Sequence, residues 1–534
     1  MPDARDDSSR GRWDREHDVV LVGGGVGSLC AAIVLADCGL RPLIVEKTNL
    51  IGGASAYSGG IVWAPNNHRM RAKNLADSRD DALAYLDRIS CGRGDHAIAQ
   101  SYVDAVPRIA EDLQRRTCLR WVTYPNLPDY YAELPGGKMA GRFLLPHQDL
   151  VGSALDAATT RWPQMAYVRP SVHLRERQKE WVWGRALVGC LWASVLEAEI
   201  PFLLEHWAIS LIKWGDKIEG VVLSGPNGNV NVRGRLGVLL DTGGFEWNDE
   251  LTLRHVPGAR LHPQTPPANE GDGHVMAAEV GAAFALMDQT IGMSSVRVPG
   301  EMNVDRSLFR IFFQELALPH SLLVNAKGRR FANETYFVDV ASAWNQVAPD
   351  GTSANLPCFF VFDESYRLKY GLPAGLSPQV SLSQHESLEG LARTLRIDSV
   401  GLVSEVQQYN DMIKIHGRDE FGRGATAYQR VFGDMDSPGN PTLGPVEKPP
   451  FYGVEIHPAT SGHRGGVVID AHARVLDLHG DVIPGLFACG CCAAGTLTGG
   501  TYFSGAAVGH AMVFGTLAAE RIVSDASSNA LSIE

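Results

Sequence analysis

A run of glycines offers the first chemistry. Gly23, Gly24, Gly25 and Gly27 follow four apolar residues, Val19 to Val22, and precede an apolar stretch from Ser28 to Cys38. The first run reads as a buried strand and the second as a helix that Gly39 stops. Leu43 to Val45 read as a second strand ending at Glu46. This order predicts a βαβ unit whose turn binds phosphate. Gly23 allows the turn, Gly25 lets a pyrophosphate reach backbone amides, and the helix N-terminus supplies partial positive charge. Glu46 lies about twenty residues past the glycines, where an acid takes the ribose hydroxyls of an ADP group. Ser28 stands where G-x-G-x-x-G has its third glycine, and it is small enough to keep helix and strand close. Placed this near the N-terminus, the unit predicts firmly held FAD rather than exchanging NAD.

The rest of the chain must position that loop and whatever reacts beside it. At 534 residues it is long enough for two domains, and 57 glycines with 45% hydrophobic residues suit an α/β enzyme. A net charge of −12 without a basic run excludes nucleic acid as a partner. Nine irregularly spaced cysteines form no disulfide framework or metal-ligand pattern, so reduced cysteines and a cytoplasmic protein are expected. The charged N-terminus has no apolar core of a leader, and no window of about twenty uncharged apolar residues predicts a transmembrane helix. Trp181, Trp183 and Trp192 are read as core residues; a membrane-facing entrance, and with it peripheral membrane association, is the alternative. A helix over Ala186–Ala198 is expected, then strands over Phe202–Glu205, Ala208–Trp214 and Gly220–Leu223, the last two joined by a turn at Gly215–Lys217.

Several segments carry a family resemblance. GGASAYSGGIVWAPNN, from Gly52 to Asn67, resembles GGSTARSGGGVWIPNN of the flavoproteins that include 3-ketosteroid dehydrogenases and soluble fumarate reductases. LPDYYAELPGGKMAGR, from Leu127 to Arg142, resembles DYYPE-PGG-GR of the Δ1-dehydrogenases. The stretch from Val238 to Phe245 resembles a second glycine turn, ATGGF, with Asp241 in place of alanine. Asn269 to Gly273 is similar to the TGDG turn. VNAKGRRFANE opens the stretch that ends at Asp339, and Ile483 to Gly490 is similar to PGLYAAG. The C-terminal Tyr502-Phe503-Ser504-Gly505 stands where Δ1 enzymes have TYPGPG; its Tyr-x-Ser spacing is more similar to Δ4-(5α)-dehydrogenases.

The resemblance implies an α/β fold: a Rossmann-like FAD-binding domain with a central parallel sheet, over 12–284 and 447–534, and an inserted α+β substrate-capping domain over 285–446. It implies flavin contacts from Gly53, Ala54, Ser55, Ser58, Gly59 and Gly60, and from Ala208, Thr242, Gly243 and Asp272. Gly490, Ala507 and Val508 complete these, beside Gly23, Gly25, Gly27, Ser28, Glu46 and Lys47 of the first unit. No metal is implied.

The implied reaction inserts a C=C beside the carbonyl of a 3-ketosteroid or similar polycyclic ketone. A base removes the α proton, donors hold the enolate oxygen, and the flavin accepts hydride. Tyrosine suits both protein roles. In the Δ1 arrangement Tyr336 is the base, assisted by Tyr131 (or its neighbour Tyr130), while Tyr502 and an amide near Gly505 hold the carbonyl. In the Δ4 arrangement Tyr502 is the base and Ser504 its relay. Both regiochemistries are carried forward, as are a fumarate- or urocanate-type enoate reductase using Arg329, Arg330 and His463, and a natural-product desaturase. Quinone and O2 are the candidate electron acceptors.

Overall fold

The computed structural model describes residues 13–124, 126–161, 181–303, 305–372 and 382–531. The charged stretch over 1–12, part of the segment in which no leader was read, lies outside them.

The first unit forms as expected. β1 (Arg15–Val22), α1 (Val26–Asp37) and β2 (Pro42–Val45) follow one another, with β1 and β2 parallel and Val20 opposite Leu43. Val19 to Val22 are buried because β1 is central, with β2 on one side and the strand Gly228–Leu240 on the other. The sheet runs from Arg474–Leu476 through Val482–Ala488, Gly228–Leu240, β1 and β2 to Phe202–Leu203. From Val482–Ala488 to Phe202–Leu203 every pairing is parallel, so the carboxyl ends of these strands converge on the glycine turns, where such folds bind ligands. Trp207–Trp214 and Lys217–Gly225 add an antiparallel hairpin. Its second strand starts three residues before the expected Gly220, because Lys217 already pairs with Trp214.

A second sheet is antiparallel along its main path. It runs from Arg306–Ile311 through Thr290–Asn303, Phe451–His463 and Cys358–Phe362 to Ser321–Asn325. One face packs around Trp344, Phe360, Phe362 and Tyr366, and another cluster gathers Val324, Leu391, Leu402 and Tyr409. Because Phe451–His463 sits inside this sheet, the chain crosses the sequence boundary at 446/447 and rejoins the first sheet only after His463.

A three-stranded sheet of Val62–Trp63, Phe143–Pro146 and Trp121–Thr123 carries the segment with Tyr130 and Tyr131. Its anchor is the buried Arg142, which pairs with Asp77 at 2.6 Å and Asp129 at 2.8 Å. Asp129 also accepts from Trp63 Nε1 at 2.8 Å. These buried, charge-assisted bonds fix the backbone one residue before Tyr130.

Two expectations are corrected here, the reduced state of the cysteines and the burial of Trp183. Cys118 and Cys190 form a disulfide, their Cα atoms 5.4 Å apart. Residues 72 apart in sequence are brought to bridging distance because the helix Trp183–Glu197 packs beside the segment leading to Trp121–Thr123. The helix Ala506–Leu531 is long and apolar enough, by length and composition, to cross a membrane, although 67% of its most apolar window is buried inside the protein. It packs on α1 so closely that a Cβ on Gly515 would lie 2.3 Å from the Gly27 carbonyl oxygen. Trp181 and Trp192 are core residues, whereas Trp183 is 37% exposed and lines the main cavity.

Candidate active site

A cavity of about 610 Å³ lies where the two large sheets face each other. Its wall takes residues from the nucleotide sheet, the second sheet and the C-terminal glycine turn. Of the residues read from sequence, Gly23, Gly25, Glu46, Lys47, Gly53, Ala54, Ser55, Ser58 and Gly59 line it. So do Ala208, Thr242, Gly243, Asp272, Gly490, Tyr502, Ser504, Gly505, Ala507 and Val508. Gly27, Ser28, Gly60, Tyr131 and Tyr336 do not: the first three serve close packing, and the two tyrosines stand behind the wall, joined to it through Thr501 beside Tyr502.

The glycine turn is shaped by backbone contacts. Gly23 has φ of +104°, and a Cβ there would lie 2.2 Å from the Asp241 carbonyl oxygen. Glu46 is buried; it accepts from the Gly24 amide at 2.9 Å and from the Thr48 amide at 2.9 Å. Burial raises its pKa against the lowering effect of those bonds. Thr48 Oγ1 also donates to Oε1 at 3.0 Å, so the lone pair left for a ribose hydroxyl is on Oε2. Lys47 is held by Glu270 and, at 3.0 Å, by Asp272, and its ammonium lies 4.7 Å from the Trp207 ring centroid. Ser461 Oγ and Gln264 Nε2 are buried in the cavity wall with no hydrogen-bond partner among the described residues. A cavity with a glycine cradle, a ribose acid and buried unmet polar atoms fits a dinucleotide flavin.

Asp241 does more than its sequence position suggested. Its Oδ2 accepts from the Ser28 amide at 2.8 Å, taking one of the unpaired N–H groups at the start of α1. Burial pushes its carboxyl up to about 7, against hydrogen bonds from Ser28 and Cys489 that lower it. The substitution of alanine by aspartate was legible; its partner, 213 residues away, was not.

The tyrosines assemble from distant segments. Tyr336, just before the helix Phe337–Ala343, donates its hydroxyl hydrogen to Tyr131 Oη. Tyr131 Oη lies 3.3 Å from Thr501 Oγ1, beside Tyr502. The neighbouring Tyr130 points to the other side, its hydroxyl 2.7 Å from Ser504 Oγ and its ring 3.8 Å from that of Tyr428. Two hydroxyl contacts thus reach the turn that presents Tyr502, one before it and one after. Burial raises the phenol pKa values of Tyr336 and Tyr502 well above the ordinary range. Thr501, Tyr428 and the Tyr130–Ser504 contact were not foreseen, although Thr501 adjoins a tyrosine already singled out.

The residues of the enoate-reductase alternative lie elsewhere. Arg330 is buried in pairs with Glu334 and Asp419, Arg329 pairs with Glu405 at 3.5 Å, and His463 stacks on Phe245 with ring centres 3.8 Å apart. None of the three lines the cavity.

Comparison with known proteins agrees with this geometry. The FAD binding domain family matches residues 18–508. The 4-oxocyclohexanecarboxylate 2-dehydrogenase of Sinomonas cyclohexanicum is 33% identical, over 96% of this chain and 93% of that protein. The 3-oxosteroid 1-dehydrogenase of Mycobacterium tuberculosis is 31% identical, over 96% and 99%. The crystal structure of 3-ketosteroid Δ1-dehydrogenase from Sterolibacterium denitrificans, in complex with 1,4-androstadiene-3,17-dione, superposes with a TM-score of 0.87 at 29% identity, covering 96% of this chain and all of that one. This chain belongs to the FAD-binding dehydrogenase family that contains the 3-ketosteroid dehydrogenases, and its cofactor is FAD.

Proposed function

We propose that this protein dehydrogenates a 3-ketosteroid or similarly shaped cyclic ketone at the carbons α and β to the carbonyl, in the Δ1 manner. The observation that carries the reading is the hydrogen bond from Tyr336 to Tyr131, next to the turn that places Tyr502 in the cavity wall. Tyr336 takes the α proton. Its own proton first passes to the Tyr131 oxygen as Tyr131 releases its proton to water, which leaves a Tyr336 phenolate to which Tyr131 now donates. Tyr502, with an amide at the Gly505 turn, donates to the carbonyl oxygen as it gains negative charge. Bound FAD supplies the hydride acceptor for the β carbon.

Gly23, Gly25, Glu46 and the start of α1 hold the ADP part of the cofactor in this reading, and Ala507 and Val508 at the start of the C-terminal helix face the isoalloxazine. The second sheet and its helices form the substrate cap, comprising 285–446 together with the strand Phe451–His463. Ser504, the relay of the Δ4 arrangement, has its hydroxyl 2.7 Å from Tyr130 Oη, and the Tyr336–Tyr131 pair is what supports Δ1.

A smaller substrate, an oxocyclohexanecarboxylate, is the second reading. It is favoured by the 33% identical relative and by a cavity wall that includes the basic residue Arg310. Steady-state dehydrogenation of both ketone classes with an artificial electron acceptor, and NMR of the product, tests the proposal. A new double bond between the carbons α and β to the carbonyl is expected; no turnover of either class would refute it.

A further inference from the structure

Arg464 stands directly after the strand Phe451–His463 and is 7% exposed. Its Nη1 donates to the Gly499 carbonyl at 2.9 Å and to the Thr501 carbonyl, with a longer contact of 3.4 Å to Thr498 Oγ1. Its Nη2 donates to Gln289 Oε1 at 2.5 Å. No carboxylate pairs with it among the described residues; the nearby Arg93 and Asp288 neutralise each other at 2.8 Å.

The Thr501 carbonyl belongs to the peptide whose N–H is that of Tyr502. The same threonine meets Tyr131 through its hydroxyl at 3.3 Å, and Tyr131 meets Tyr336. One guanidinium therefore grips the residue on which both reacting phenols depend. Burial lowers the Arg464 pKa to about 10, which leaves it charged at neutral pH. Gripping carbonyls requires donors but no charge, and a buried charge without a counter-ion is costly. The charge is offset only when negative charge develops nearby, as it does on the substrate oxygen when the α proton leaves.

We propose that Arg464 is a positioning residue for the dehydrogenation: it fixes the Thr501–Tyr502 peptide, and its unneutralised charge favours the anion that forms beside Tyr502. This rests on the reaction proposed above.

The test uses flavin-loaded Arg464→Gln, Arg464→Met and Arg464→Lys with a ketone that the wild type dehydrogenates, with FAD content read by absorbance. The Gln and Met variants are expected to lose about a hundred-fold in kcat while KM stays within about threefold, and Lys to stay within about tenfold of wild type. Equal losses in Gln and Lys would reduce Arg464 to a structural clamp and overturn the proposal, as would a Gln variant that keeps more than about a third of kcat. If neither neutral variant keeps its fold and flavin, Lys decides: kcat within about tenfold supports the proposal, and a loss beyond about a hundred-fold in a folded, flavin-loaded Lys variant overturns it. A wild type inactive on every cyclic ketone would overturn both this and the proposed reaction, whereas an active wild type with indifferent variants removes only the role of Arg464.

Discussion

The glycine-lined cavity and the tyrosine cluster beside it are built by different means. The glycine-lined part is mainly backbone: a strand, a turn and a helix contiguous in sequence, with Glu46 bonded to the Gly24 amide 22 residues earlier. The tyrosine part is made of side chains, with Tyr131 and Tyr336 205 residues apart and Tyr131 and Thr501 370 apart. A site made of amides spreads its function over many weak donors. A site made of phenols rests on a few atoms. Changes at the tyrosines should therefore abolish turnover and leave the flavin bound, while changes at the glycine turn should loosen the flavin and spare the chemistry.

The largest effect is expected for Tyr336→Phe, which removes the proposed base. Its kcat should fall about a thousand-fold, with FAD content unchanged in the absorbance spectrum. Loss of flavin from this variant would break the separation of the two parts. Tyr502→Phe removes one donor to the carbonyl oxygen and should cost about a hundred-fold in kcat. Steady-state rates near wild type would remove Tyr502 from the reaction.

Glu46→Ala tests the other part. FAD titration should show affinity weakened by about tenfold, as befits the loss of charge-assisted hydrogen bonds, while kcat at saturating FAD changes less than about twofold. A variant that binds FAD normally would remove Glu46 from the ribose site.

The smallest effect concerns Asp241 and pH. Its carboxyl is raised by burial from 3.8 to about 7 in the folded protein. Between those values the folded state keeps a proton that the unfolded chain has released, so this residue's contribution lowers stability as pH rises through the window. Thermal unfolding of the flavin-free protein should lose less stability from pH 4 to 7 in Asp241→Asn than in wild type. Parallel pH profiles would show that the Asp241 carboxyl titrates as it does in the unfolded chain.

The same contrast explains what the sequence revealed. β1, α1 and β2 were legible because apolar runs, glycines and the terminal acid follow one another, and local chemistry determines the turn. The tyrosines could be named only through resemblance, since neither spacing nor periodicity brings Tyr336 to Tyr131. The strand Phe451–His463 was assigned to the nucleotide domain because nothing local marks which of two sheets a buried strand joins. The Cys118–Cys190 bridge and the Arg464–Thr501 contact were invisible for the same reason: both are products of tertiary packing.

The proposal that these separated phenols act on a ketone is tested most directly by anaerobic single-turnover mixing with a 3-ketosteroid, following the flavin absorbance in wild type and in Tyr336→Phe. The account predicts rapid bleaching in the wild type and bleaching slowed about a thousand-fold in the variant, with equal flavin at the start. Equal rates in the two would contradict it.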